Sequence, residues 1–144
     1  MSRRMISQDV ILSDRYLDLS DRAKSLYIIL LMLADDDGVV NGHRNALRLS
    51  CADEEHFNEL CESGLVGTFD DGAVCILDWL VQNKIEAKYY KRLAPEKYRS
   101  RIRVHVDGRY TLQTNESDMT IDDYRMKVSN RTKRSANRKN ETKE

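Results

Sequence analysis

No run of apolar residues in this chain reaches the length of a membrane span. The longest, LYIILLML, covers 8 residues, against the roughly 20 that a bilayer-spanning helix needs. The start, MSRRMISQDV, carries no apolar stretch of the signal-peptide kind. Cysteine is scarce and odd in number: Cys51, Cys61 and Cys75 show no C-x-x-C spacing. That pattern argues against a disulfide frame and a zinc site, and for a reducing, cytoplasmic setting. Cys61 and Cys75 fall on apolar faces and read as core. The three histidines, His43, His56 and His105, stand at no metal-ligand spacing. Nucleophile-elbow, phosphate-loop and dinucleotide-binding glycine patterns are all missing. The expectation is a protein that is not an enzyme, with no catalytic residues, cofactor or metal.

Net charge is absent too: 24 Lys/Arg face 24 Asp/Glu. The balance hides a split. Residues 1–80 hold 7 basic and 15 acidic side chains, a net of −8, and residues 81–144 hold 17 and 9, a net of +8. An acidic body with a basic arm suggests nucleic-acid binding; a solvated surface with a charged tail is the plainer alternative.

What is present is a clear order of elements. Ser20 can cap a helix running from about Asp21 to Ala34, apolar nearly all round and so central. Asp35-Asp36-Asp37-Gly38 follows. A calcium loop spreads oxygen ligands over about 12 residues and closes on a glutamate; here the twelfth position from Asp35 is Ala46. The three aspartates therefore read as a turn, with Gly38 supplying a positive φ. Val39-Val40 is a short strand and Arg44–Leu49 a second helix. After Ser50-Cys51-Ala52 a third helix begins, capped by Asp53, with Phe57, Leu60 and Cys61 as its core stripe and Gly64 as its stop. LVGTF and AVCIL around Asp70-Asp71-Gly72 form a hairpin, and Trp79 closes the unit.

Beyond Trp79 the chain turns basic and aromatic. Pro95 is the only proline and breaks any helix there. YRSRIRVHVDGRYTL predicts a second hairpin on a two-residue Asp107-Gly108 turn. Period-two spacing would put Arg99, Arg101, Arg103 and His105 on one face. From about residue 114 the sequence is polar, with a weak helix at 118–128 and a flexible basic tail after it. The fold class predicted is α+β: a winged helix-turn-helix over 1–93, a basic β-hairpin extension over 94–113, and a flexible tail over 114–144.

Several short stretches carry a family resemblance: RRMIS at the start, SD at 13–14, LDL at 17–19, LY at 26–27, ADDDG at 34–38, Trp79, and Asn83-x-Ile85. Together they resemble the N-terminal domain of phage replication initiation proteins, the replisome organisers, which are similar to the DnaD-like primosome group. The likeness spans roughly residues 3–92. It implies a phage or prophage protein in a bacterial cytoplasm that acts at a replication origin and helps to bring in the helicase machinery. Arg44-Asn45 stands where the family often has a basic pair, and Cys51 where it has a glycine. Ala87-Lys88-Tyr89 replaces a charged stretch, and the chain leaves no room for a separate helicase-loader-binding domain.

The charges argue against ordinary docking of the third helix in a DNA groove. Its first turn, Asp53-Glu54-Glu55-His56, is acidic, and Glu59, Glu62, Asp70 and Asp71 add to the same sign, whereas phosphate binding needs cations. The candidate DNA-binding residues are instead Arg3, Arg4, His43, Arg44, Arg48, Lys84, Lys88, Tyr89, Lys91, Arg92, Arg99, Arg101 and Arg103. Expected partners are double-stranded DNA and, by resemblance, replisome or helicase-loading proteins, with no membrane. A protein-interaction or transcription-regulatory module is the alternative, including self-association of acidic helix with basic hairpin.

Overall fold

The computed structural model describes residues 3–112 and 118–141, the side chains of 132 and 135–141 excepted. Two short helices, α1 (Gln8–Ile11) and α2 (Asp14–Leu17), precede the central α3 (Asp21–Leu33). Ser20 caps α3 by accepting from the Ala23 N–H, and Ala34 is already extended, so the helix stops at Leu33. Its Ala23, Leu26, Tyr27, Leu30 and Leu31 are buried. Each large apolar side chain buried there contributes about 1.5–3 kcal/mol.

Strand β1 (Val39–Val40) leads to α4 (Arg44–Ser50) and α5 (Glu54–Ser63), both packed on α3. The His56 ring closes the start of α5, its Nδ1 accepting from the Asp53 N–H. Strands β2 (Val66–Thr68) and β3 (Val74–Ile76) form the first hairpin, and β1 pairs antiparallel with β3, giving the sheet order β1-β3-β2. Between α4 and α5 sits Cys51, a non-glycine residue in the left-handed region at φ 55°. That backbone costs an L-residue roughly 1–2 kcal/mol. A Cys51→Gly variant should therefore gain up to about 1 kcal/mol once glycine's own entropy is deducted. Chemical denaturation of the two proteins measures this; an unchanged or lower midpoint would refute it.

The second half departs from the sequence reading. After α6 (Trp79–Gln82), Pro95 does not break a helix but precedes one, α7 (Glu96–Arg99). Proline's fixed φ suits a helix start, where no amide donor is needed. Strands β4 (Arg103–Val104) and β5 (Tyr110–Thr111) are shorter than the predicted hairpin, and β6 (Met119–Thr120) joins them in the order β5-β4-β6. The turn is not the two-residue type: the His105 N–H donates to the Arg109 carbonyl, leaving 106–108 as a three-residue loop. The first hairpin repeats this device, with Phe69 bonded to Ala73. In both, an aspartate accepts from the amide two residues on, Asp71 from Ala73 and Asp107 from Arg109. The glycine that follows each aspartate takes a left-handed φ.

The weak helix expected at 118–128 is present and longer: α8 runs from Ile121 to Glu141, through much of the stretch predicted as a tail. Residues 114–117 and 142–144 of that stretch lie outside the described residues. Nor is the hairpin a detached extension. Ala94, Tyr98, Ile102, Val104, Tyr110 and Ile121 share one buried cluster with the helical core, and the Tyr110 N–H donates to the Leu77 carbonyl. The architecture is α+β, with two small antiparallel sheets joined by a common core. Among the described residues no helix is long and apolar enough to cross a membrane.

Candidate nucleic-acid interface

The loop of three aspartates organises the cations around it. Asp35 Oδ1 accepts from its own loop, from the N–H groups of Asp37 and Val39, and burial raises its pKa. Asp36 reaches outward: Oδ1 accepts from Arg4 at 3.0 Å and Oδ2 from the Lys91 N–H at 2.8 Å. Asp37, buried to 0% side-chain exposure, accepts from Arg125 through Oδ1 at 3.0 Å and from the Tyr90 hydroxyl through Oδ2 at 2.6 Å. Burial, and then the hydrogen bond to Asp37, push the Tyr90 hydroxyl well above its usual range. The Asp36 carbonyl takes the Trp79 indole N–H and a second Arg125 bond. The carboxylates diverge, so they do not converge on one ion. The turn expected at Gly38 is there, at φ 83°, and it is also the knot that ties the N-terminal arm, the Tyr90 segment and α8 to the core.

Several candidate DNA contacts are consumed by such bonds. Arg4 is fixed by Asp36 and the Ala34 carbonyl, with its guanidinium 5.2 Å from the Trp79 ring centre. His43 binds Glu54 at 2.9 Å and stacks on Phe57 with ring centres 3.8 Å apart. Arg92 and Arg99 share Asp122 at 3.0 and 2.7 Å. Arg101 pairs with Asp70 at 3.0 Å, and Arg103 donates to the Ser100 carbonyl. Lys88 lies 3.6 Å from Glu86 and over the exposed Tyr89 ring.

The arginine face expected on the second hairpin is therefore not formed. Arg99 lies in α7 and is buried, Arg101 lies before the strand, and only Arg103 is in β4. Period-two reasoning failed because the 96–99 segment folds as a helical turn behind Pro95.

Side chains of α7 and the second hairpin instead neutralise Asp71 and Asp78. Tyr98 donates to Asp71, Lys97 pairs with Asp71 at 3.1 Å, and Arg109 pairs with Asp78 at 2.8 Å. The Tyr98 bond first, then the Ala73 N–H and Lys97, hold the Asp71 carboxyl down at about 2, from an ordinary 3.8. A depressed carboxylate contributes stability above its ordinary value and loses it as pH falls through the folded value, here between 3.8 and about 2. In a Tyr98→Phe variant the Asp71 titration, followed by carboxyl NMR, should move up towards the ordinary value. An unmoved titration would rule out the hydroxyl as the cause.

Cations left exposed and without an acidic partner, among the described residues, fall in three places. Arg3, Arg22, Lys84 and Lys91 are scattered, although Arg22 donates to the Cys51 carbonyl and the Lys91 backbone is anchored by Asp36. Arg44 and Arg48 stand one turn apart on α4. The third place is α8, where Lys127, Arg131, Lys133 and Arg134 are exposed. These four were absorbed into the tail reading, yet 127, 131 and 134 recur at i, i+4 and i+7, one helix face. Lys127, Arg131 and Arg134 do line one shallow surface with Asp123, Met126 and Asn130. That spacing is the available signal for a helix longer than the 118–128 expected; few apolar residues accompany it.

On the opposite charge, Asp53, Glu55 and His56 bring three ligand atoms within 4.8 Å of one another. His56 serves the start of α5 there, and Glu59 accepts from the Ser20 N–H and hydroxyl. Comparison of the chain with family models, curated proteins and solved structures finds no match.

Proposed function

We propose that the chain is a DNA-binding winged-helix protein of the phage replication-initiation kind. In this reading it binds origin DNA through basic surfaces and helps to assemble the replisome. The order helix, strand, helix, helix, hairpin, with β1 closing on β3, supports the winged-helix assignment. The ADDDG resemblance supports the replication role. The observation that carries DNA binding is the cation face of α8: from Tyr124 to Asn140 the sequence has seven Lys/Arg and no acid. Unpaired cations can release counterions from phosphates; paired ones have little left to offer. Arg44 and Arg48 on α4 supply a second contact.

Binding to labelled duplex DNA, followed by anisotropy at several salt concentrations, tests this. The logarithm of affinity should fall linearly with that of salt. Changing Lys127, Arg131 and Arg134 together to Glu should cost at least about tenfold in affinity and lower the slope by up to about 3, near 0.9 per lost contact. Absence of binding at low salt, or a slope the triple variant leaves alone, would sink the reading.

A protein-interaction role is the second reading, favoured by the acidic face of α5, where Glu55, Glu59 and Glu62 line one open groove with Ser20. Self-association through the basic hairpin is weakened by the internal pairs of Arg99 and Arg101. Solution mass against salt separates the cases: a monomer at every salt concentration removes the self-association form.

A further inference from the structure

Between the β4–β5 hairpin and α8 lies a cleft of about 370 Å³, towards the small end of ligand sites, about 300–1,000 Å³. Its lining is partly apolar, with Val104, Met119 and Tyr124, and Lys127 and Arg131 reach it from α8. Asp118 also lines it, its side chain only 7% exposed. Asp118 Oδ1 meets His105 Nδ1 at 3.2 Å, while Oδ2 is buried with no hydrogen-bond partner. A buried carboxylate oxygen without a donor is costly and uncommon. The cleft thus combines an unmet need for a donor, an aromatic wall and two unpaired cations.

Those three features narrow the ligand. An acyl chain would leave Oδ2 unmet. A metal ion would find one carboxylate and one imidazole, opposed by Lys127 and Arg131. A basic peptide side chain would satisfy Asp118 but meet the same two cations. A nucleotide meets all three demands, offering N–H donors on its base, a flat ring for Tyr124 and a phosphate for the cations. Among the bases, guanine presents two adjacent donors, N1–H and the 2-amino group, with no acceptor between them. A carboxylate is acceptor-only and fits that edge best.

We propose that this cleft holds one unstacked guanine of a single-stranded nucleic acid, with Asp118 accepting from its Watson–Crick edge. The assignment rests on the nucleic-acid reading above and adds single-strand and base preference to it. Lys127 and Arg131 hold the flanking phosphates, and Tyr124 stacks on the base.

Anisotropy of a labelled oligothymidine, with and without one central guanine, tests the assignment. The guanine oligomer should bind about tenfold more tightly, the discrimination expected of a good paired contact. Asp118→Asn should erase that difference and leave the oligothymidine affinity in place, while Lys127→Ala should weaken both oligomers alike. Guanosine monophosphate titrated into the unaltered protein should shift the NMR signals of Val104, Asp118 and Tyr124, which requires no variant to fold. Equal affinity for the two oligomers, a preference that survives Asp118→Asn, or shifts confined to another surface would overturn the assignment while leaving DNA binding intact. A lysine-rich peptide that occupies the cleft in an Asp118-dependent way, with the oligomers indifferent, would also overturn it. If no oligomer and no duplex binds at low salt, the broader reading fails and this one with it.

Discussion

A Gly38→Ala variant is expected to lose about 3 kcal/mol of stability or more. Two separate costs add at this one carbon. Gly38 holds φ at 83°, where an alanine is strained by roughly 1–2 kcal/mol. A Cβ built there would also stand 2.6 Å from Trp79 Cγ and 2.8 Å from its Cβ and Cδ2. Those are backbone-proximal and ring atoms of a fully buried tryptophan, so neither partner can swing aside. Moving the ring would break its N–H bond to the Asp36 carbonyl as well. Urea denaturation at neutral pH measures the loss. A change below about 1 kcal/mol would mean that the loop is free to relax, against the close packing of protein interiors.

Replacing Asp37 with Asn should cost about 3–5 kcal/mol, the usual result of removing one member of a buried ion pair. Arg125 is 11% exposed and would be left with only the Asp36 carbonyl and aromatic faces. The Tyr90 hydroxyl would lose its charged acceptor too. The test separates this from a metal role: added calcium or magnesium should not change the midpoint of the unaltered protein. A large stabilisation by either ion, or a variant as stable as the parent, would reject the knot. Because Arg125 sits on α8, the variant should also loosen that helix, visible as faster amide exchange from Ile121 onwards.

Much of the fold was legible in local signals. The cap at Ser20, the apolar run of α3, the start of α5 behind Asp53 and the first hairpin each depend on residues within about one turn of one another. Such signals survive because nearby backbone groups satisfy them before tertiary contacts form. The second half was read less well. Pro95 reads locally as a breaker but begins a helix, and β6 has no signal beyond two residues. Alternation of Arg99, Arg101 and Arg103 looked like a strand face, but helix α7 and the Asp122 pair override it.

The candidate site shows the same division. Sequence names which residues carry charge but not which charges are already answered. Arg4 meets Asp36 across 32 residues, Arg101 meets Asp70 across 31 and Arg125 meets Asp37 across 88. No window along the chain can contain those pairs.

By itself the sequence determined the elements from α3 to β3, the acidic and basic halves, and the turn at Asp35–Gly38, because capping, periodicity and φ preference act over a few residues. Only the tertiary structure decided which cations remain free and that the turn is a buried knot, because ion pairing and burial depend on segments that meet only after folding. It also decided that Asp118 would sit buried beside a basic helix with one oxygen unanswered.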